Sequence, residues 1–116
     1  MDFAIARRNM VECQLLTNRV TSPQILAAMG EVPRENFVPK QWQAVAYVDE
    51  DIPISEGRKI MEPMVLGRML EAVVIQNSDV ALVVGCGTGY AAAVIARMAS
   101  TVFALEHDRV LRQLQL

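Results

Sequence analysis

A run of five apolar residues that ends in a cluster of glycines constrains the fold of this chain more than any other feature. Val80–Val84 reads VALVV, residues 85–89 read GCGTG, and residues 90–98 are rich in alanine. A short continuous apolar run is typical of a strand buried on both faces of a parallel sheet, and alanine favours helix. Thr101–Leu105 is again β-branched and apolar, which predicts a second strand. The pattern therefore predicts an α/β fold containing a strand, a glycine turn, a helix and a parallel strand.

The glycines have the spacing G-x-G-x-G, which discriminates among nucleotide cofactors. Such a turn needs glycine because the chain reverses tightly, a ligand approaches the backbone and the helix packs closely on the strand. The G-x-G-x-x-G spacing, whose helix end receives a pyrophosphate, is absent, and S-adenosylmethionine has no phosphate to receive. Glu106 follows the second strand, 17 positions after Gly89 (106 − 89), where a carboxylate can accept hydrogen bonds from two ribose hydroxyls. The predicted cofactor is S-adenosylmethionine, and the predicted cofactor-binding residues are Gly85, Gly87, Thr88, Gly89, Tyr90 and Glu106.

Two other interpretations of the same segment stay open. The first is an ordinary β-α turn in which Glu106 is only solvated and Tyr90 wedges the helix against the sheet. The second is a membrane span, because residues 80–96 carry no charge and Gly85 and Gly89 have the small-residue spacing of associating membrane helices. Five strand-forming residues, three glycines and a second strand pattern make a poor single helix, so we expect no membrane association.

Composition excludes several other classes of function. The 116 residues suffice for one domain. The net charge is −2 and both signs are interleaved, so no block of basic residues could bind a phosphate backbone, and we expect no nucleic-acid partner. Cys13 and Cys86 belong to no metal-binding spacing and accompany a single histidine, His107, so we predict no metal site. The same cysteines fit a reducing cytoplasm, and the charged amino terminus does not resemble an export signal.

The residues before the glycine turn predict mostly helix. Residues 3–16 have a helical apolar rhythm with Asp2 as the cap, and a second helix should begin at Ser22-Pro23 and stop at Gly30. Residues 47–57 mix acids, proline and glycine, which favours an extended loop, and a third helix should begin at Glu62-Pro63. We divide the chain into a helical cap (1–45), a loop or arm with a substrate-side segment (46–62) and the first half of a Rossmann-like cofactor domain (63–116).

Several motifs along the chain together resemble those of the protein-L-isoaspartate O-methyltransferases. They are NMVE with QL (9–12, 14–15), VPRE with FVP (32–35, 37–39), AY with Asp49 (46–47), IPI (52–54), Gly57, Ile60, Pro63, GxGxGY (85–90) and ExD (106–108). The resemblance implies a class I methyltransferase fold with S-adenosylmethionine over the glycine turn and Glu106 on the ribose. It also implies methyl transfer to the carboxylate of isoaspartyl residues in damaged proteins and peptides, which begins their repair.

The reactive loop departs from the family pattern. Members of the family place Thr-Ile-Ser, one further residue and Pro beside the reacting carboxylate, and the matching residues here are Lys59, Ile60, Met61, Glu62 and Pro63. Met61 at the serine position cannot donate a hydrogen bond, and Glu62 adds a negative charge that repels a carboxylate. The catalytic residue is therefore unknown, and Lys59 is either an attractor for an anionic substrate or a solvated loop lysine. The alternative hypotheses are a methyltransferase with another methyl acceptor and an inactive or divergent binding module of the same fold.

The resemblance covers the whole chain but only about the amino-terminal half of the family's domain. Two strands alone would leave sheet edges and apolar faces exposed. We expect either that the remaining strands belong to a missing carboxyl-terminal half or that self-association completes the sheet, and we favour the first.

Overall fold

The structure is a computed structural model that describes residues 2–108 and residue 111. It confirms the α/β class and the predicted order, in which helices precede a β-α-β unit with parallel strands. The regular elements are α1 (Phe3–Met10), α2 (Pro23–Glu31), β1 (Ile52–Ser55), β2 (Arg58–Ile60), α3 (Pro63–Val73), β3 (Val80–Val84), α4 (Tyr90–Ala96) and β4 (Thr101–Leu105).

The first helix has the predicted cap and changes its geometry midway. The Asp2 carboxylate accepts hydrogen bonds from the backbone N–H groups of Ala4 at 3.0 Å and Ile5 at 3.2 Å. After α1 the chain continues as a π-helical turn, Val11–Leu15, and a 3₁₀ turn, Leu16–Asn18. The helical extent agrees with the prediction, while the wide turn brings Leu15 to a fully buried position.

The second helix begins at Pro23, as predicted, but its ends are held differently. The Ser22 side chain makes no capping hydrogen bond, and the Glu71 carboxylate instead accepts from the N–H groups of Thr21 and Ser22 at 2.8 and 3.0 Å. Gly30 was predicted to stop α2, and this is wrong because the helix continues through it to Glu31. The stop comes from Pro33, since the residue before a proline is disfavoured in helix.

The segment predicted as an extended loop contains a β-hairpin. β1 and β2 pair antiparallel, with Ile52 opposite Ile60 and Pro53 opposite Lys59. Gly57 occupies the turn with a φ of +72°, a conformation that glycine adopts without steric cost. Pro53 and the acids around β1 concealed the alternation in which Ile52 and Ile54 are buried and Pro53 is exposed. Pro53 is tolerated because it lies on an edge strand.

The β-α-β unit forms as predicted and has one uncovered face. β3 and β4 pair parallel from Val80–Thr101 to Val84–Leu105, and α4 packs against both strands. The opposite face is apolar and exposed: Val80 is 66% exposed, Leu82 60%, Val84 74%, Phe103 58% and Leu105 55%. Burial on both faces was therefore a wrong expectation for the described residues, and the predicted exposure of an apolar face is confirmed.

Residues 80–96 do not form one long helix. They form a strand, a turn and a helix of seven residues, so the single membrane helix considered above is wrong. Within residues 2–108 and 111, no helix has both the length and the apolar character needed to cross a membrane.

One apolar core joins the three predicted parts of the chain. Its buried members include Met10, Leu15 and Met29 from the first part, Ile52 from the second and Val94 from the third. Leu111 also belongs to this core, and its N–H donates to Asp108 Oδ1 at 3.2 Å. This contact suits the sequence, in which Asp108 is expected to cap a helix that extends to Leu116. The rest of that predicted helix lies outside the described residues, and the proposed part boundaries stay predictions.

Candidate cofactor and acceptor site

The glycine turn is fixed to the end of β4 by backbone hydrogen bonds. The N–H groups of Gly85 and Cys86 donate to Leu105 O at 2.8 and 3.0 Å. Gly85, Gly87 and Gly89 have φ angles of +67°, +61° and +101°, which an L side chain rarely adopts. The sequence therefore requires glycine here for the turn itself, before any ligand is considered.

Glu106 lies beside this turn and is surrounded by donors. Its Oε1 accepts from Gly87 N–H at 2.8 Å and Arg58 Nη2 at 2.7 Å, and its Oε2 accepts from Asp108 N–H at 2.9 Å and Arg58 Nη1 at 3.0 Å. The carboxylate side chain is 1% exposed. The hydrogen bonds from Arg58, and then those from the backbone, lower the pKa of Glu106 to about 2. The alternative in which Glu106 is only solvated is wrong.

A cleft of about 160 Å³ joins the glycine turn to the loop that follows the hairpin. From the predicted cofactor residues it is lined by Gly85, Gly87, Thr88 and Tyr90, and from the predicted substrate loop by Lys59, Ile60 and Met61. Gly89, Glu106 and Glu62 do not line it. The structure thus places two segments, which are separated by more than twenty residues in sequence, on the walls of one cleft.

Thr88 and Tyr90 anchor the glycine turn to the helical cap. The Thr88 hydroxyl donates to Phe37 O at 2.5 Å, and the Tyr90 ring meets Phe37 edge-on with centroids 5.8 Å apart. Tyr90 is 1% exposed, and the Arg34 guanidinium carbon lies 4.7 Å from its ring centroid. These contacts hold Tyr90 against the cap, and the two roles expected for it, packing on the cofactor and wedging the helix against the sheet, stay predictions.

The loop after β2 has an exposed methionine and a neighbouring acidic group. Lys59 and Met61 are exposed, with Met61 at 38%, whereas Ile60 is buried. Glu62 N–H donates to Asp51 Oδ1 at 2.8 Å. A hydrogen bond to Asp49, partial burial and the nearby acids Asp51 and Glu50 raise the pKa of Glu62.

Arg34 is a site residue that sequence reasoning did not single out. Its side chain is completely buried, donates from Nε to Ala46 O at 2.6 Å and from Nη2 to Met61 O at 3.0 Å, and stacks on Tyr90. Burial lowers the pKa of the guanidinium. Its Nη1 is buried with no hydrogen-bond partner among the described residues. Arg34 stands beside the polar residues Glu35 and Asn36, so no local signal in the sequence indicated that this side chain is buried.

Arg58 was also missed, and no local signal identified it. It faces Glu106 because the hairpin pairs it with Ser55 and turns β2 toward the glycine turn. The Oγ of Ser55 is buried with no hydrogen-bond partner among the described residues.

A second polar network joins the first helix to residues 34–47. The Arg7 guanidinium donates to Tyr47 Oη at 2.8 Å and to both oxygens of Glu35 at 3.2 Å, and the Tyr47 hydroxyl donates to Glu35 Oε1. Arg34 N–H donates to Tyr47 Oη at 3.0 Å. Burial and the hydrogen bond to Glu35 raise the pKa of Tyr47 to about 12. The network fixes the segment that carries Arg34.

Cys86 lines the cleft between two glycines, while the His107 side chain is 91% exposed and its Nδ1 lies 3.9 Å from Glu106 Oε2. Within the described part of the chain, no three histidine, cysteine or acidic side chains are grouped to hold a metal ion.

Comparison with known proteins places these features in one family. The sequence profile of the protein-L-isoaspartate(D-aspartate) O-methyltransferases matches residues 6–114. Protein-L-isoaspartate O-methyltransferase 2 of Anaeromyxobacter sp. (strain Fw109-5) is 46% identical over 100 residues, which are 86% of this chain and 41% of that protein. The enzyme of Methylorubrum extorquens (strain PA1) is 44% identical over 110 residues, 95% of this chain and 48% of that protein.

Solved structures agree with this relationship. One protein-L-isoaspartate O-methyltransferase superposes with a TM-score of 0.81 at 26% identity, covering 93% of this chain and 36% of that one. A putative protein-L-isoaspartate O-methyltransferase from Plasmodium falciparum, solved in complex with S-adenosyl-L-homocysteine, gives 0.78 at 22% identity, covering 93% of this chain and 52% of that one. The chain spans about half the length of the curated relatives it matches. It belongs to the protein-L-isoaspartate(D-aspartate) O-methyltransferase family.

Proposed function

We propose that this chain is the cofactor-binding part of an S-adenosylmethionine-dependent protein-L-isoaspartate O-methyltransferase, in which Glu106 and the glycine turn hold the cofactor. The observation that carries the proposal is the buried Glu106 carboxylate, whose Oε1 lies 2.8 Å from the N–H of Gly87 at the ends of two parallel strands. Ligands of open parallel sheets bind outside the carboxyl ends of the strands. The names of the relatives and the S-adenosyl-L-homocysteine bound to the Plasmodium protein support the same assignment.

The residues present fit an S-adenosyl group. A β-carbon on Gly85 would meet only Arg58 Nη2, at 3.8 Å, so the space before this backbone is limited by one movable side chain. The cleft has apolar walls from Ile54, Ile60 and Leu66. Glu106, Gly85, Gly87, Thr88, Gly89 and Tyr90 are the residues that we assign to the cofactor.

The chemistry needs alignment more than covalent assistance. S-adenosylmethionine, when bound, supplies a methyl group on a sulfonium, which is already a good leaving group. The isoaspartyl carboxylate is already a nucleophile, so the protein contributes by positioning the two and by excluding water. Arg34 holds the acceptor side of the cleft in place through Met61 O, while the glycine turn holds the donor side.

Met61 gives a specific reason to consider a second function. A thioether at the cleft wall supplies no hydrogen bond to a carboxylate, and the acids around Glu62 repel one. The second candidate is therefore a divergent member of the family that methylates another acceptor or only binds the cofactor. We propose the cytoplasm as the location in either case, from the cysteine pattern of the sequence.

Transfer of tritium from labelled S-adenosylmethionine to isoaspartyl peptides by the full-length protein tests the first function. We expect transfer by the natural protein and faster transfer by Met61→Ser, because the hydroxyl adds a donor at the acceptor wall. Met69→Ser is the matched control, since Met69 is 52% exposed on α3 and does not line the cleft. No transfer by the natural protein or by Met61→Ser refutes the isoaspartyl assignment.

Calorimetry separates the two candidates when transfer fails. Heat on addition of S-adenosylhomocysteine without transfer to peptides supports a divergent acceptor or a binding module. Glu106→Gln should weaken this binding at least several-fold, because an amide accepts fewer hydrogen bonds than a carboxylate. The absence of heat with either form of the cofactor leaves only the fold in common with the family.

A further inference from the structure

Arg58 and Glu106 form an ion pair that closes the cofactor side of the cleft. Arg58 Nη2 lies 2.7 Å from Glu106 Oε1, and Nη1 lies 3.0 Å from Oε2, so the salt bridge is bidentate. Arg58 Nη2 also donates to Gly85 O at 3.3 Å. The Arg58 side chain is 28% exposed and lies on the cleft wall, while Glu106 is 1% exposed behind it. The guanidinium therefore lies between the cleft and the carboxylate.

This pairing leaves Glu106 without spare acceptor capacity. A carboxylate offers about four lone-pair sites. The donors on them are Gly87 N–H and Arg58 Nη2 on Oε1, and Asp108 N–H and Arg58 Nη1 on Oε2. Two ribose hydroxyls cannot donate to this carboxylate while all four hydrogen bonds are present.

Only one of these partners can leave easily. The Gly87 and Asp108 donors are backbone groups, and Gly87 belongs to a turn whose neighbours Gly85 and Cys86 are bound to Leu105 O. Arg58 is a long side chain that is 28% exposed and can change rotamer without moving the backbone. It is the group that a ligand on Glu106 must displace.

We propose that Arg58 is a positioning residue that competes with the vicinal diol of a nucleoside for Glu106, so that occupation of the cofactor site removes the Arg58 contact between the hairpin and the glycine turn. Arg58 is adjacent to Lys59 and two residues from Ile60 on β2, and Met61 follows directly. Breaking the Arg58 contact thus changes the restraint on the strand that leads into the acceptor loop. The inference rests on the proposed cofactor function and adds a coupling between the two walls of the cleft.

Arg58→Gln tests the competition. This variant of the full-length protein should bind S-adenosylhomocysteine about two- to fivefold more tightly, which is the range expected for removing a partly exposed ion pair. The affinity for adenosine, measured by NMR titration, should increase by the same factor. The affinity for 2′,3′-dideoxyadenosine should not change, because this nucleoside has no diol to compete for the carboxylate. A general structural effect of the substitution would instead change the affinities for both nucleosides alike.

Arg97→Gln is the matched control. Arg97 pairs with Glu31 through side chains that are 49% and 58% exposed, and it does not line this cleft. It should leave all three affinities unchanged. Unchanged or weaker binding of S-adenosylhomocysteine by Arg58→Gln, or an equal gain for the dideoxynucleoside, overturns the competition while leaving the cofactor function intact. If the natural protein and Arg58→Gln both fail to bind any of the three ligands, the cofactor function is refuted and the competition with it.

Discussion

Gly87 and Ile54 are packed so closely that a β-carbon on Gly87 would lie 2.8 Å from Ile54 Cδ1. Ile54 belongs to β1, so the hairpin presses directly on the glycine turn. Tight chain reversal, ligand approach and close helix packing were the reasons expected for glycine in this turn, and the contact with Ile54 adds another at Gly87. The hairpin and the turn thus form one packed unit on which both walls of the cleft depend.

Gly87→Ala should destabilise the protein by about 1 to 3 kcal/mol, because the residue has a φ of +61° and the new methyl group meets Ile54. Gly30→Ala is the matched control, since a β-carbon there would be 3.8 Å from Val11 Cγ2 within α2. It should stabilise by about 0.5 to 1 kcal/mol through helix propensity. Urea unfolding measures both, and similar effects at the two glycines would contradict the prediction.

Arg34→Met should cost about 2 to 4 kcal/mol of unfolding free energy, because it leaves the carbonyls of Ala46 and Met61 without their buried donor. Loss of the desolvated charge offsets only part of this cost. Arg97→Met, at an exposed ion pair, should change stability by less than about 0.5 kcal/mol. A loss for Arg34→Met no larger than that for Arg97→Met would show that the two carbonyls find other partners.

Glu106 should make the stability of the fold sensitive to acid. Its folded pKa of about 2 lies below the ordinary glutamate value, mainly because Arg58 and the backbone of Asp108 bind the charged form. The ionised carboxylate therefore contributes fully to the free energy of unfolding above the pKa of the unfolded state. This contribution is lost as the pH falls from about 4.3, the pKa in the unfolded state, toward the pKa in the folded state. The stability difference between the natural protein and Glu106→Gln should shrink over this interval. A difference that is constant from pH 5 to 2 would contradict the assigned pairing.

Tyr47 should act in the opposite pH range. Burial and the hydrogen bond to Glu35 raise its pKa to about 12, so the neutral hydroxyl stabilises the fold below the unfolded value and this stability is lost between about pH 10 and 12. Tyr47→Phe should be less stable at neutral pH by about 1 to 3 kcal/mol, because Arg7 Nε and Arg34 N–H lose the hydroxyl oxygen that accepts their hydrogen bonds. The gap between the two proteins should narrow above pH 10. The buried Tyr90 is present in both proteins, so its titration cancels in this comparison.

The sequence predicted those parts of the site that depend on local rules. The strand at Val80–Val84, the glycine turn and the acidic residue after β4 follow from hydrophobic runs, from φ requirements and from their order along the chain. The helix starts at Pro23 and Pro63 follow in the same way from the fixed φ of proline. Each of these features is decided within a few residues.

The missed features depend on pairing between distant segments. Arg58 reaches Glu106 across 48 positions only because the hairpin forms, and Pro53 in its first strand, with acids before and after that strand, concealed the alternation that predicts it. The sequence predicts that α2 ends at Gly30, but the helix continues through Gly30 to Glu31, and its neighbours Ala28 and Met29 are buried. Burial of β3 on both faces failed because it requires a covering layer that the described residues do not supply. Tertiary packing decided each of these cases.

The uncovered face of the β3–β4 sheet should make the chain of 116 residues self-associate. Leu82 and Phe103 lie at the same register, 60% and 58% exposed, in the middle of this apolar face. Leu82→Lys should lower the association measured by sedimentation velocity and change the free energy of unfolding by less than about 0.5 kcal/mol, because the charge points into solvent. Ala81→Lys is the contrasting variant on the face that packs against α4. Ala81 is half-buried there, so we expect this charge to lower the free energy of unfolding more than Leu82→Lys does. Equal association of the natural chain and Leu82→Lys would show that another surface joins the copies.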